Sequence, residues 1–170
     1  MKVREAVDLI RNDGIGSLAA TWCDLGCGTG TFTLALAELL APGSKIYAVD
    51  KNRASLRKIP NSHGEVTIER MANDFASPIF SLPEVDGALM ANELHFVRDQ
   101  AGLLKRICSA AASFLVVEYD RSAPSVWEPF PVSYATLHPL LLAAGYRRVV
   151  KLRTRQSVFG GELYAAWATR

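Results

Sequence analysis

Apolar and polar residues along the chain form two alternating kinds of segment. Short runs rich in apolar residues predict strands at residues 19–25, 45–50, 65–70, 85–91 and 113–119. Between them, apolar residues three or four positions apart predict helices at residues 3–11, 31–41, 51–59, 99–111 and 134–144. This alternation of strands and helices predicts a parallel sheet that is covered by helices on both faces.

The end of the chain has a different pattern. Two strand-like runs, residues 146–158 and 162–169, flank the pair Gly160-Gly161, which is typical of a hairpin turn. We therefore predict a doubly wound α/β fold with a mostly parallel sheet of seven strands and an antiparallel C-terminal hairpin. The length of 170 residues suits a single domain, with an N-terminal helical segment at 1–17 and a core at 18–170.

Composition and charge exclude several classes of protein. A hydrophobic fraction of 49% is too high for a disordered chain, and a net charge of +2 provides no overall attraction to nucleic acids or anionic membranes. No apolar run reaches the roughly 18 residues of a membrane span, and the first residues do not resemble a signal peptide. Three cysteines cannot all pair, which indicates a reducing compartment and predicts a cytoplasmic protein. The cysteines and histidines lack the spacing of metal ligands, so no metal is expected.

A glycine-rich loop follows the first predicted strand. Gly26, Gly28 and Gly30 recur at alternate positions before the next helix, so a ligand can approach bare backbone and free amide groups there. A dinucleotide-binding loop would have its third glycine where Thr31 stands. Asp24 comes just before the loop, and its carboxylate repels a phosphate but suits an ammonium group. The loop therefore disfavours an NAD-binding oxidoreductase.

The sequence DLGCGTG at residues 24–30 resembles motif I of the class I S-adenosylmethionine-dependent methyltransferases. Three later segments agree with this resemblance: Asp50 ends the second strand, NDF follows the third at residues 73–75, and NELHF follows the fourth at residues 92–96. The similarity covers roughly residues 18 to 169. Motif I is moderately specific alone, whereas these features in this order are strong evidence together.

The resemblance implies S-adenosylmethionine as the cofactor and S-adenosylhomocysteine as the product. The glycines would form the floor of the site, Asp24 would help to position the methionine end, and Asp50 would accept hydrogen bonds from both ribose hydroxyls. Asp74 would accept a hydrogen bond from the adenine amine, while Phe75 packs on the ring. The residues expected to contact the cofactor are Asp24, Gly26, Cys27, Gly28, Gly30, Asp50, Lys51, Asn73, Asp74, Phe75 and Asn92.

The residues that meet the methyl acceptor are harder to recognise, because a sulfonium is already activated and the protein mainly positions the reactants. His95 is the candidate catalytic base, since the ordinary pKa of histidine suits proton transfer near neutral pH. The alternative is that His95 only packs or forms a hydrogen bond beside Phe96. The candidate substrate contacts follow the fifth strand: Tyr119, Asp120, Trp127 and Phe130.

The acids of the site could have structural roles instead of binding a ligand. Asp24 or Asp50 could cap the helix that follows it, and Asp74 could be solvated in a polar loop. Glu93 could contact the substrate, but we expect it to be an exposed surface acid.

The sequence therefore predicts a methyltransferase that acts on a small molecule, whose identity it does not reveal. One alternative is an RNA-modifying enzyme of the same fold, because alternation along a strand would place four bases on one face. These bases are Arg147, Lys151, Arg153 and Arg155. A second alternative is a non-catalytic cofactor-binding or regulatory protein. The sequence does not indicate an oligomeric state.

Overall fold

The computed structural model describes residues 1–157 and 160–170, and these residues form one sheet of eight strands. The strands are β1 Thr21–Leu25, β2 Lys45–Asp50, β3 Ser62–His63, β4 Val66–Ala72, β5 Val85–Ala91, β6 Ala111–Tyr119, β7 Arg148–Gln156 and β8 Glu162–Thr169. Their order across the sheet is β3-β4-β2-β1-β5-β6-β8-β7. The five central strands from β4 to β6 are parallel, whereas β8 is antiparallel to both of its neighbours.

Helices cover both faces of this sheet, as the alternating pattern predicts. They are α1 Val3–Ile10, α2 Thr31–Ala37, α3 Arg53–Leu56, α4 Gln100–Ala110 and α5 Tyr134–Ala144. Ile10 of α1 and Leu36 of α2 belong to the apolar core on one face, and Leu104 of α4 and Leu137 of α5 belong to the core on the other. In the described residues, no helix combines the length and the apolar character needed to cross a bilayer.

The structure corrects the predicted number of strands and the lengths of two helices. The helix expected over 31–41 ends at Ala37 of α2. The sheet has an eighth strand because the two residues of β3 pair antiparallel with the start of β4, and two residues are too few to show a pattern. The helix expected over 51–59 contains only the four residues of α3, and the side chain of Asn52 caps it by accepting from two backbone amides. The predicted strand 146–158 extends to residue 158, which lies outside the described residues.

The prediction that four bases share one face near β7 is wrong. The pairing of β7 with β8 shifts register between Lys151 and Thr154, and a bulge of this kind interrupts the alternation of side chains. Lys151 lies over the ring of Tyr134 in α5. Arg153 and Arg155 instead bond to α1 on the opposite face.

Two of these bases also have acidic partners. The Lys151 ammonium lies 2.8 Å from a carboxylate oxygen of Asp120, and the Arg155 guanidinium lies 2.6 Å from Glu5. Arg147 is exposed just before β7. The four bases therefore do not form a continuous basic surface for a phosphate backbone.

The fold places a ligand cleft where β1 and β5 lie side by side. The chain leaves β1 toward α2 on one face and leaves β5 toward α4 on the other. Ligands of open α/β sheets bind beyond the carboxyl ends of the strands at such a switch point. The glycine loop after Leu25 and the segment after Ala91 consequently meet there.

The close packing of Gly87 under Trp22 provides a test of this central region. A Cβ atom at Gly87 would lie 2.5 Å from Cζ2 of Trp22, and overpacking of a core costs typically about 1–3 kcal/mol. We expect Gly87→Ala to reduce the free energy of unfolding by about 2 kcal/mol, as measured by urea denaturation.

Gly64→Ala is the control, because its Cβ would meet no atom within 4 Å. Only its left-handed backbone, with φ of +55°, should cost stability, by about 1 kcal/mol. Equal losses in the two variants would contradict the close packing of Trp22 on β5.

Candidate functional site

Two adjoining cavities open beyond the carboxyl ends of the central strands. The first has a volume of about 380 Å³ and lies between the glycine loop and the start of the segment after β5. The second has a volume of about 370 Å³ and lies over the ends of β2 and β4. Gly26 and Glu93 line both cavities, so these two residues mark the junction. Every residue expected at the cofactor lines one of them except Gly30.

Two positions of the loop require glycine for different structural reasons. Gly26 has φ of +77°, and a Cβ there would lie 2.4 Å from Cγ of Glu93. Gly30 is the left-handed N-cap of α2, and a Cβ there would lie 2.8 Å from Cγ1 of Ile59. Gly26 therefore brings backbone close to the cleft, whereas Gly30 allows close packing beneath it.

Asp50 is held at the edge of the second cavity by two backbone amides. Its Oδ2 accepts from the Gly28 amide at 2.8 Å, and its Oδ1 accepts from the Asn52 amide at 2.7 Å. The idea that Asp50 caps the next helix is wrong, because Asn52 does so. Since a carboxylate has about four acceptor sites, Asp50 keeps capacity for further donors.

Asp24 is only 1% exposed but lines the first cavity. Burial raises its pKa to about 7, although a 2.6 Å hydrogen bond from the Thr33 hydroxyl opposes this shift. The helix-capping role considered for Asp24 is also wrong, because the residue at the N-cap of α2 is Gly30. The acid is thus a buried acceptor beside the cleft.

Asn92 has two unusual features, a left-handed backbone and a buried side-chain oxygen without a hydrogen-bond donor. Its backbone has φ of +58°, a left-handed conformation that is uncommon outside glycine and is often found at functional sites. Its buried Oδ1 has no hydrogen-bond partner in the described part of the chain. An unsatisfied buried acceptor costs about 1–3 kcal/mol, so a ligand with an N–H group would be stabilising at this position.

Glu93 is not the exposed acid that the sequence predicts. It is half-buried against Gly26 at the junction of the two cavities. Burial raises its pKa to about 7, and the charges of Asp50, Glu118 and Asp24 add to this effect, whereas His95 opposes it. The cleft is therefore electronegative and suits a ligand with positive charge.

The far end of the second cavity is formed by the loop after β4. Asp74 is exposed, as the solvated alternative expects, and its Oδ1 accepts from the Ala76 amide at 3.0 Å. Phe75 is buried in the core but its ring still lines the cavity. Lys51 and Asn73 are exposed at the rim. This end thus combines polar acceptors with an aromatic surface.

His95 and Glu118 form a buried pair that the sequence analysis did not recognise. His95 is 5% exposed and Glu118 is 1% exposed, and Nδ1 of the histidine lies 2.6 Å from Oε2 of the glutamate. Burial alone would lower the pKa of His95, but the Glu118 carboxylate raises it above its ordinary value. The sequence contains one indication of this pair, the acid at the end of the apolar run FLVVE at 114–118. An acid in such a run is expected to be buried, and a buried acid needs a partner.

A third cavity, with a volume of about 580 Å³, lies beside His95. Its lining residues are His95, Tyr119, Arg121, Trp127 and Glu128. Tyr119 also lines the first cavity, so this residue borders both. Trp127 lines this cavity although it is 81% exposed.

The other two candidate substrate contacts lie elsewhere. Asp120 accepts from the Tyr134 amide at 2.9 Å and from the Lys151 ammonium at 2.8 Å. Phe130 lies beneath the guanidinium of Arg98, 5.6 Å from ring centre to Cζ. Neither residue lines the three cavities described above.

The charge on His95 provides a test of the buried pair. Removing the Glu118 carboxylate leaves burial as the main influence, and burial disfavours the charged imidazolium. We therefore expect Glu118→Gln to lower the pKa of His95, as measured by NMR titration of the imidazole protons. Glu84→Gln, which removes an exposed carboxylate, should leave it unchanged. The same His95 pKa in both variants would contradict the pairing.

Comparison with known proteins agrees with this geometry. Residues 23–113, more than half of the chain, match a family model described as a methyltransferase domain. No protein of curated function matches the chain in sequence.

Several solved structures share the fold at low sequence identity. EvdMO1 is 20% identical with a TM-score of 0.64, and the alignment covers 98% of this chain but 46% of that one. The N-terminal domain of EvdMO1, in the presence of SAH and D-fucose, is 19% identical with a TM-score of 0.62, and the coverage is 98% and 80%. A possible histamine N-methyltransferase from Thermotoga maritima is 16% identical with a TM-score of 0.67, and the coverage is 99% and 87%. With the family match and the shared fold, the chain belongs to the class I S-adenosylmethionine-dependent methyltransferases.

Proposed function

We propose that this protein transfers a methyl group from S-adenosylmethionine to a small-molecule acceptor and releases S-adenosylhomocysteine. The observation that carries the proposal is a group of acceptor oxygens at the first cavity, one of which has no hydrogen-bond donor in the described residues. Oδ1 of Asn92 is buried and unpartnered, and the carboxyl groups of Asp24 and Glu93 lie beside it in the same cavity. A ligand with an ammonium group and a positive sulfur supplies the missing donors and charge, whereas a pyrophosphate would be repelled.

The second cavity fits the nucleoside portion of the same ligand. Asp50 is fixed by two backbone amides and would accept from the ribose hydroxyls with its remaining capacity. Asp74 would accept from the adenine amine, and Phe75 would pack against the ring. Cys27 and Gly28 would contact the ligand in the first cavity, and Lys51 and Asn73 in the second.

The third cavity is the proposed site of the methyl acceptor. Tyr119 lines both this cavity and the first one, so an acceptor there would approach the cofactor beside this residue. The rings of Tyr119 and Trp127 suit an apolar or aromatic acceptor. A small molecule is also supported by the neighbouring structure determined in the presence of D-fucose.

His95 is the proposed base for an acceptor that must lose a proton. When bound, the cofactor supplies an activated methyl group. Nδ1 of His95 is engaged by Glu118, which leaves Nε2 as the ring nitrogen that would take up a proton from an acceptor in the cavity that His95 lines. Glu118 then stabilises the imidazolium that forms when His95 takes up the proton. Because only neutral His95 can accept a proton, turnover should rise as the pH passes above its raised pKa.

The N-terminal segment is proposed to be part of the same functional unit. Val7 and Ile10 of α1 pack in the core, and Met1 and Glu5 line the first cavity. We infer that residues 1–170 work as one domain. The RNA-modifying and non-catalytic alternatives and the cytoplasmic location stay predictions from the sequence.

Calorimetry with S-adenosylmethionine, S-adenosylhomocysteine and NAD tests the cofactor assignment. We expect both sulfur ligands to bind and NAD not to bind. Asp50→Asn should weaken both sulfur ligands about tenfold or more, because they share the ribose and hydrogen bonds to charged groups contribute about 1.5–3 kcal/mol.

Asp13→Asn is the matched control, since Asp13 is exposed and lies outside both cofactor cavities. Failure of both sulfur ligands to bind the unmodified protein would contradict the proposed function. Full affinity in Asp50→Asn would contradict only the ribose assignment.

Transfer of labelled methyl groups to extracted metabolites, RNA and protein tests the activity. We expect label in small molecules. With the metabolite fraction that accepts label as the substrate, we expect His95→Gln to reduce kcat by about 100-fold or more, because this is the usual contribution of a positioned base. His138→Gln should retain activity, because His138 lies on α5, beside Tyr134. Label confined to RNA, or no transfer at all, would contradict the proposed acceptor or the proposed activity.

A further inference from the structure

Glu93 has an unusual place in the cleft. It is one of two residues shared by the cavities, and its side chain packs against the other, Gly26. A Cβ atom at Gly26 would lie 2.4 Å from Cγ and 2.7 Å from Cδ of Glu93. The carboxyl group therefore lies against the glycine loop where the first cavity passes into the second.

The surroundings of Glu93 are mostly acidic. Asp24 faces it from β1, Asp50 from the end of β2 and Glu118 from β6, while His95 follows it in its own loop. No side chain in the described residues forms a hydrogen bond with its carboxyl group. Half-buried among acids, this group is poorly stabilised in its charged form, which agrees with a pKa raised to about 7.

A cofactor that occupies both cavities must cross this junction. The proposed function places the methionine portion in the first cavity and the nucleoside in the second, and the sulfur atom joins those two portions. On the basis of that function, we propose that Glu93 makes the site prefer S-adenosylmethionine to S-adenosylhomocysteine. The Glu93 carboxylate would pair with the positive sulfur of S-adenosylmethionine. The neutral sulfur of S-adenosylhomocysteine lacks this attraction.

This contact would help the product to leave. In the transfer the bond from sulfur to the methyl carbon breaks, its electron pair stays on sulfur, and the methyl carbon bonds to the acceptor. Sulfur thereby loses its positive charge. Glu93 is then again a carboxylate among acids, and it takes up a proton from solvent as its pKa returns to the value of the free protein.

The pH dependence follows from the raised pKa of free Glu93. Above about pH 7 the carboxylate is already charged and favours the positive ligand. Below about pH 7 the positive ligand must displace a proton, so its affinity falls, whereas the neutral product is affected little. The ratio of the two dissociation constants removes the effects of the amino, ribose and adenine groups that the ligands share.

Calorimetry of both ligands between about pH 6 and pH 8 tests the proposal. In the unmodified protein, we expect the preference for S-adenosylmethionine over S-adenosylhomocysteine to rise roughly tenfold over this range, as linkage to a pKa near 7 requires. In Glu93→Gln the preference should be small and independent of pH. Glu84→Gln should behave like the unmodified protein, because it removes an exposed acid outside both cavities.

A second measurement needs no variant. At about pH 6.5, in buffers of different ionisation enthalpy, S-adenosylmethionine should release more protons on binding than S-adenosylhomocysteine. Equal proton release, or an unchanged pH-dependent preference in Glu93→Gln, would overturn the role of Glu93 while leaving the proposed function intact. Failure of both ligands to bind would overturn both.

Discussion

Buried carboxyl groups crowd the carboxyl ends of the central strands, and the rest of the site depends on that crowding. Burial raises the pKa values of both Asp24 and Glu93 to about 7, and the charge of Asp50 adds to each shift. Acids taken out of water without a counter-charge cost stability. Together with the unpartnered Oδ1 of Asn92, they indicate a cleft that is completed by a cationic ligand.

The architecture explains why these groups meet. Parallel strands bring the residues that follow β1, β2 and β5 to one edge, and the chain turns to opposite faces beyond β1 and β5. Glycine at position 26 lets the loop approach the side chain of Glu93 closely. The buried pair of His95 and Glu118 lies beside the cavity that we propose for the acceptor. The proposed cofactor and acceptor sites therefore adjoin at one edge of the sheet.

Local patterns were enough to predict most of the fold. The bounds of β2, β5 and α5 agree with their apolar runs and helical spacing, because those segments bury a complete face. Features that depend on distant partners could not be read locally, including the two residues of β3 and the register shift after Lys151. The same holds within the site. Gly30 fits the motif but packs on Ile59, and the burial of Glu93 and Glu118 arises from elements that are far apart in sequence.

A crystal structure with S-adenosylmethionine bound would show whether a cationic ligand completes this cleft. We expect one ligand molecule to span both cavities, with its sulfur beside the Glu93 carboxylate. Its amino group should donate to Oδ1 of Asn92, and its adenine should lie between Asp74 and Phe75. Ligand density outside these cavities would contradict this binding mode. A sulfur atom out of reach of the Glu93 carboxylate, with Asn92 still unpartnered, would contradict it as well.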